Sequence, residues 1–317
     1  MTTGPNAMAG PGASPPSGAA RGGPGVWDYI TLTKPGITGL IVFVAVAGYF
    51  LAAPSPVSWA RFGILLGTGA LASAGAAMLN HYLDRDIDAI MRRTRGRPLP
   101  TERIVRSGGV AIAGLAFSAA GIGLAGWALN PLAGFSILLG SLTYVVVYTL
   151  WLKRRSSWNI VIGGFAGSAP ALAGSAAAVG HWTPAVLAFA FLVFLWTPPH
   201  FWSLALMLRS DYEKVGLPML PRMDDPAYSG RVVVVSAALL LPASLLVAAT
   251  GVLAWPVTVA LVALASGFVA VTAPLWREVT RPIALRGFIY SGPYLIAVIV
   301  AVALNPWLVQ LGVPQGL

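Results

Sequence analysis

Thr183-Pro-Ala-Val-Leu-Ala-Phe-Ala-Phe-Leu-Val-Phe-Leu-Trp196-Thr-Pro198-Pro199-His200-Phe201-Trp202-Ser-Leu-Ala-Leu-Met-Leu208 contains no Asp, Glu, Lys or Arg. A helix needs about 20 apolar residues to cross the hydrocarbon of a bilayer, and this run supplies them. It is continuous and does not alternate, so a helix is expected and a barrel strand is not. Outward from it, eight further apolar runs fall at about 36–53, 60–82, 109–129, 131–152, 159–180, 232–253, 256–276 and 288–308. The expectation is an all-α, polytopic membrane bundle of about nine transmembrane helices around a central cavity open to the cytoplasmic side. Composition agrees. Of 317 residues, 57% are hydrophobic and 9% charged, where a soluble domain carries roughly 25% charged residues. An ordinary soluble fold and disorder of the whole chain are both excluded. With no cysteine, disulfides, thiolate zinc sites and Cys-linked haem are excluded too.

Residues 1–26 are mostly Gly, Pro, Ala and Ser with Arg21 as their one charged side chain, a composition that predicts a disordered tail ahead of a membrane domain at 27–317. The tail has no basic start followed by an apolar core, so it does not read as a signal peptide. Twenty Lys+Arg against ten Asp+Glu give a net charge of +10. Arg21 and Lys34 precede span 1, the other basic residues lie in the connections after spans 2, 4, 6 and 8, and Arg61 is the exception. By the positive-inside rule the N-terminus and these connections face the cytoplasm, which puts the C-terminus outside. All ten acidic residues, from Asp28 to Glu278, share that face. The positives sit in short loops against the membrane, which argues against a nucleic-acid partner.

Two constellations carry chemistry. In Asn80-His-Tyr-Leu-Asp84-Arg-Asp-Ile-Asp88 the polar residues Asn80, Asp84 and Asp88 repeat every fourth position, forming one stripe on one helix face. Oxygen donors so arranged suit Mg2+, which is held by one or two carboxylates plus substrate phosphates and water. Arg92, Arg93, Arg95 and Arg97 follow, and a metal-bound polyphosphate needs such cations for its outer oxygens. The alternative is a charged helix end at the lipid–water boundary, with Asp84 and Asp88 paired to nearby Arg. Polar groups at membrane depth are expensive, which favours function for Asn80.

The second is Trp196-Thr-Pro198-Pro199-His200-Phe201-Trp202, followed by Asp211-Tyr212-Glu-Lys-Val-Gly-Leu-Pro-Met-Leu-Pro221. Two adjacent prolines lack backbone donors, so the helix is expected to kink or open near His200. An imidazole among Trp196, Phe201 and Trp202 suits a flat aromatic ligand. The alternative is a histidine packed in the core.

The first stripe resembles the aspartate-rich motif of the UbiA-like intramembrane prenyltransferases. Asp88-x-x-Met91-x-Arg93-Thr94-x-x-Arg97-Pro98-Leu99 and Trp196-x-Pro-Pro-His200-Phe-Trp202 are similar to its protohaem farnesyltransferase (haem O synthase) branch. Leu32-Thr-Lys34-Pro35, Tyr148-Thr149, Leu152-Lys153-Arg154, Asn159 to Gly164 and Pro170 extend the likeness over about residues 27–308. The resemblance implies transfer of farnesyl from farnesyl diphosphate to a vinyl group of protohaem IX, with haem as substrate. It implies catalysis and Mg2+ binding by Asn80, Asp84, Asp88 and Asp211, and diphosphate binding by Arg93, Arg97, Lys34 and Lys153. Haem binding falls to His200, Trp196, Trp202 and His81, while His181 on the outer side reads as incidental. Where the superfamily tends to Asp-x-x-x-Asp, Val215 stands four residues after Asp211, so a second Mg2+ would need Glu213, a backbone oxygen or water. Membrane lipid is an implied partner, and haem A synthase or oxidase-assembly proteins are candidate ones, in a bacterial-type plasma membrane.

Two rivals remain. One is a quinone-precursor or other aromatic prenyltransferase of the same superfamily. The other is a secondary transporter, although ionisable groups then belong near the midplane.

Overall fold

A computed structural model of the chain describes residues 23–53, 56–218 and 225–316. The tail expectation for residues 1–22, and Met219 to Pro221 of the second constellation, lie outside them. Among the described residues, nine helices are long and apolar enough to cross a membrane: α1 Pro35–Ala52, α2 Trp59–Leu83, α3 Ser107–Ala128, α4 Pro131–Leu152, α5 Asn159–Val179, α6 Pro184–Met207, α7 Pro226–Ala248, α8 Trp255–Trp276 and α9 Arg281–Gln310. Short helices at Val26–Leu32, Arg85–Ile90 and Arg209–Lys214 lie at one end of the bundle.

Two spans start earlier than hydropathy alone suggests. α7 begins at Pro226, not 232, because Asp225 caps it by accepting from the Tyr228 amide at 2.9 Å, with Pro at the first helical position. α9 begins at Arg281, not 288, again with Pro in its first turn. Caps extend a helix into polar sequence that a hydropathy window leaves out.

Each span packs on the next in sequence, and α9 packs back on α1, closing a ring. The ring is pinched at one end, where α1 crosses α5. Added Cβ atoms at Gly48 and Gly174 would collide with the backbones of Ala171 and Ala45, so only glycine lets these helices approach so closely. Gly75 of α2 likewise lies against Gly114 and Ser118 of α3, where a Cβ would stand 2.5 Å from the Gly114 carbonyl oxygen. The other end of the ring is wide. The prolines of α6 do not open it: the helix runs unbroken through Pro198 and Pro199. Spanning helices tolerate such lost bonds because packed neighbours hold them in shape. α5 is broken at Gly164, and the second half of α4, Thr143–Leu152, is a π-helix.

Candidate active site

A cavity of about 490 Å³ runs up the middle of the ring, within the range of ligand-binding pockets. Its wall along α2 is a single stripe: Leu65, Gly69, Ala72, Ala76, Asn80 and Asp84. These are three or four residues apart, so one helix face supplies them. At 1.5 Å per residue the stripe from Leu65 to Asp84 is about 28 Å long. Its pinched end is apolar and lined by small side chains, and its wide end is charged.

The charged residues lining the cavity are Lys34, Arg93, Arg97 and Lys153 against Asp84 and Asp88. α2 ends at Leu83 and Arg85–Ile90 starts a new turn, yet the Asp88 amide still donates to the Asp84 carbonyl at 2.8 Å. The stripe therefore survives the helix break. Asn80 is the hub. Its Nδ2 donates to Asp84 Oδ2 at 2.8 Å and to Thr149 Oγ1 at 3.0 Å, and its Oδ1 accepts from Lys34 Nζ. Lys153 Nζ donates to Asp84 Oδ2 at 2.6 Å, and Arg97 pairs with Asp88 at 2.5 Å.

Lys34 precedes Pro35 and is held in the left-handed backbone region at φ 46°. A non-glycine residue there is strained, and such strain concentrates at functional sites. Its ammonium also donates to the Tyr144 hydroxyl at 3.0 Å. Burial, with repulsion from Arg97, pushes Lys34 down to about 8. The wide end thus holds two more cations than carboxylates, an arrangement that favours an anionic ligand.

The π-helix decides which α4 residues reach this end. At 3.6 residues per turn, Tyr144 and Lys153 would stand about half a turn apart. With i→i+5 bonding and roughly 4.4 residues per turn, nine residues complete about two turns. The Lys153 amide donates to the Tyr148 carbonyl at 2.8 Å, five residues back. Tyr144, Tyr148 and Lys153 then all line the cavity, and the two tyrosine rings stack with centroids 6.2 Å apart. Gly163 makes room for them, since a Cβ there would stand 2.7 Å from the Tyr148 ring.

Asp84 Oδ1 is buried and has no hydrogen-bond partner. A buried oxygen left in that state is unusual and calls for an explanation. Together with Asp88 it offers hard oxygen donors, which fit a divalent cation completed by substrate phosphates. Among the described residues no three His, Asp or Glu come together as a metal group, so the protein side of such a site is two carboxylates with Asn80 beside them.

The opposite wall belongs to α6 and α9. Trp196, Thr197, His200 and Phe201 of α6 line it with Phe288 and Leu295 of α9. The His200 ring is sandwiched between Trp196, at 4.4 Å and 18°, and Phe288, at 5.1 Å and 29°.

A model of the UbiA prenyltransferase family matches residues 41–292. The chain belongs to that family. It is 42% identical to protoheme IX farnesyltransferase 1 of Cenarchaeum symbiosum, over 89% of this chain and 96% of that one. It is 38% identical to protoheme IX farnesyltransferase of Hahella chejuensis, over 86% of this chain and 91% of that one. Among solved structures it is similar to digeranylgeranylglyceryl phosphate synthase, at a TM-score of 0.74 and 16% identity, covering 88% of this chain and 98% of that one. It is also similar to a UbiA homolog from Archaeoglobus fulgidus bound to DMAPP and Mg2+, at a TM-score of 0.66 and 16% identity, covering 87% and 99%. At such identity the structural likeness establishes the fold.

In this UbiA-family bundle, Asn80, Asp84, Asp88, Arg93, Arg97, Lys34, Lys153, His200 and Trp196 share one cavity. Three other expected residues do not reach its wall. Trp202 is two residues beyond His200, a rotation of about 200°, and is buried in a core cluster with Ile87, Met91 and Tyr212. His81 is one residue beyond Asn80 and is buried off the cavity. Asp211 is buried beside Tyr212, which lines the cavity where Asp211 does not. Glu213 faces outward and pairs with Arg209 at 2.6 Å. His181 lies exposed between α5 and α6. The sequence reading missed Tyr144, Ser291 and the role of the π-helix. No spacing rule exposes them, because each depends on which helices meet.

Proposed function

We propose that this protein is a protohaem IX farnesyltransferase, transferring farnesyl from farnesyl diphosphate to a vinyl group of protohaem IX. The observation that carries the reading is one cavity with a carboxylate–cation end, a long small-residue channel and an aromatic-flanked histidine on the opposite wall. Each fits one part of the reaction. The cations Lys34, Arg93, Arg97 and Lys153 bind the diphosphate, and the channel along α2 takes the isoprenoid chain. His200 and Trp196 receive the haem.

Asp84 and Asp88, with Asn80 alongside, would hold Mg2+, which would supply positive charge toward a departing diphosphate. As the C–O bond breaks, the surrounding cations take up the charge that develops on the leaving oxygen. The apolar channel keeps water from the allylic cation. The vinyl π pair then forms the new C–C bond, leaving positive charge on the carbon next to the porphyrin. Water adds there and loses a proton, which accounts for a hydroxyl in haem O without any redox step.

The basic loops at the wide end support a cytoplasmic orientation of that end and of the N-terminus, in a bacterial-type plasma membrane. Incubation of the purified protein with haem, farnesyl diphosphate and Mg2+, followed by mass spectrometry, tests the reading. The expected product is hydroxyethylfarnesyl haem plus diphosphate. Prenylation of an aromatic quinone precursor in place of haem would overturn it.

A further inference from the structure

Ser291 lies on α9 and is fully buried. Its hydroxyl oxygen is 2.6 Å from His200 Nδ1 and 2.6 Å from the Phe288 carbonyl oxygen. A hydroxyl has one proton to give, and a carbonyl oxygen can only accept. The proton therefore goes to Phe288, and the Ser291 oxygen must accept from His200. That requires the proton of the neutral imidazole to sit on Nδ1.

The same residue holds a second wall. The Ser291 carbonyl accepts from Trp196 Nε1 at 2.9 Å, and Trp196 covers one face of the imidazole while Phe288 covers the other. Phe201 meets the ring edge-on at 5.4 Å. Both faces and Nδ1 are thus occupied. The remaining polar atom of the ring is Nε2, and His200 lines the cavity.

We propose that Ser291 is a positioning residue that fixes His200 as the Nδ1–H tautomer, so that Nε2 presents a lone pair to the acceptor. A lone pair at Nε2 is the form in which histidine ligates a metal centre, and the hydrogen bond at the other nitrogen decides which atom does so. The identity of that acceptor as haem iron rests on the function proposed above. The tautomer does not.

The tautomer can be read without substrate. The chain has three histidines, so 15N-histidine labelling in detergent gives few signals, and His200→Ala identifies those of residue 200. The expected result is a protonated Nδ1 and a bare Nε2 in the wild type, a mixed tautomer in Ser291→Ala, and the wild-type pattern in Ser291→Thr, which keeps a hydroxyl. A protonated Nε2 in the wild type, or an unchanged tautomer in Ser291→Ala, would overturn the proposal. Haem titration then reads the consequence. Ser291→Ala should weaken haem affinity roughly ten- to hundred-fold, as loss of a ligand's outer hydrogen bond does, and Ser291→Thr should restore it. Farnesyl diphosphate affinity should be unchanged in both, which also shows that they fold. If His200→Ala loses haem while Ser291→Ala binds it normally, Ser291 is not a positioning residue. If neither changes haem affinity, Nε2 has no ligand role, and product formation by the wild type shows whether the transfer reading still stands.

Discussion

Asp84 accepts from both Asn80 and Lys153 through one oxygen and leaves the other bare. Its charge holds Lys153, and under the proposed function the bare oxygen would also face a divalent cation. Under the proposed function, Asp84→Asn and Asp88→Asn should each lower kcat/KM by roughly three orders of magnitude, because they remove the charge that would hold Mg2+ beside the leaving diphosphate. Turnover of the purified variants at several Mg2+ concentrations checks this, and near-normal turnover at modest Mg2+ would make the stripe structural. Arg97 is a different case. It reaches Asp88 with a guanidinium nitrogen at 2.5 Å and has further donors for phosphate oxygens. Arg97→Lys keeps the charge but loses the planar fork. We expect the KM for farnesyl diphosphate to rise about tenfold, for a loss of roughly 1.4 kcal/mol, with haem affinity unaltered. A variant that changes only its haem requirement would reverse the assignment.

Among the elements, α4 shows most directly how backbone geometry selects chemistry. Its π-helical half turns Tyr144, Tyr148 and Lys153 to the cavity together, and Gly163 of α5 gives Tyr148 the space to be there. A side chain at 163 must push the Tyr148 ring aside. Gly163→Val should cost about 1–3 kcal/mol in stability through overpacking. It should also raise the donor KM, since Tyr148 stacks on Tyr144, whose hydroxyl accepts from Lys34. Thermal unfolding in detergent and donor titration measure the two effects separately. A variant with normal donor affinity would show that Tyr148 only fills space. The elements also explain which of the expected residues share the cavity wall and which do not. The stripe Asn80–Asp84–Asp88 was legible because its period is that of a helix and its break at Leu83 does not disturb the register. Trp202 and His81, which the resemblance adds to the haem site, stand two residues from His200 and one from Asn80, enough along a helix to turn a side chain to another face.

At the scale of the whole molecule, the ring is pinched where α1 crosses α5 and charged at the other end, so access to the site from one face of the membrane is the expectation. The natural absence of cysteine makes this easy to check. Arg95→Cys, in an exposed loop at the wide end, and His181→Cys, exposed at the other, should be labelled by a membrane-impermeant thiol reagent from opposite sides. Arg95→Cys should react only when the cytoplasmic face is accessible. The same side for both would refute the nine-span topology, and exchanged sides would refute the orientation. What the sequence determined alone was set by solvent and by local geometry. Apolar runs long enough to cross a bilayer must be helices, basic loops mark one side, and a period of four puts three polar residues on one face. What only the tertiary structure decided concerns partners brought from far along the chain. Lys34 meets Asn80 and Tyr144, Asp84 meets Lys153, and His200 meets Ser291 across separations of 46 to 110 residues. Those meetings depend on the order of helices in the ring and on glycines that let backbones touch. No periodicity within one helix encodes which face of another it will find.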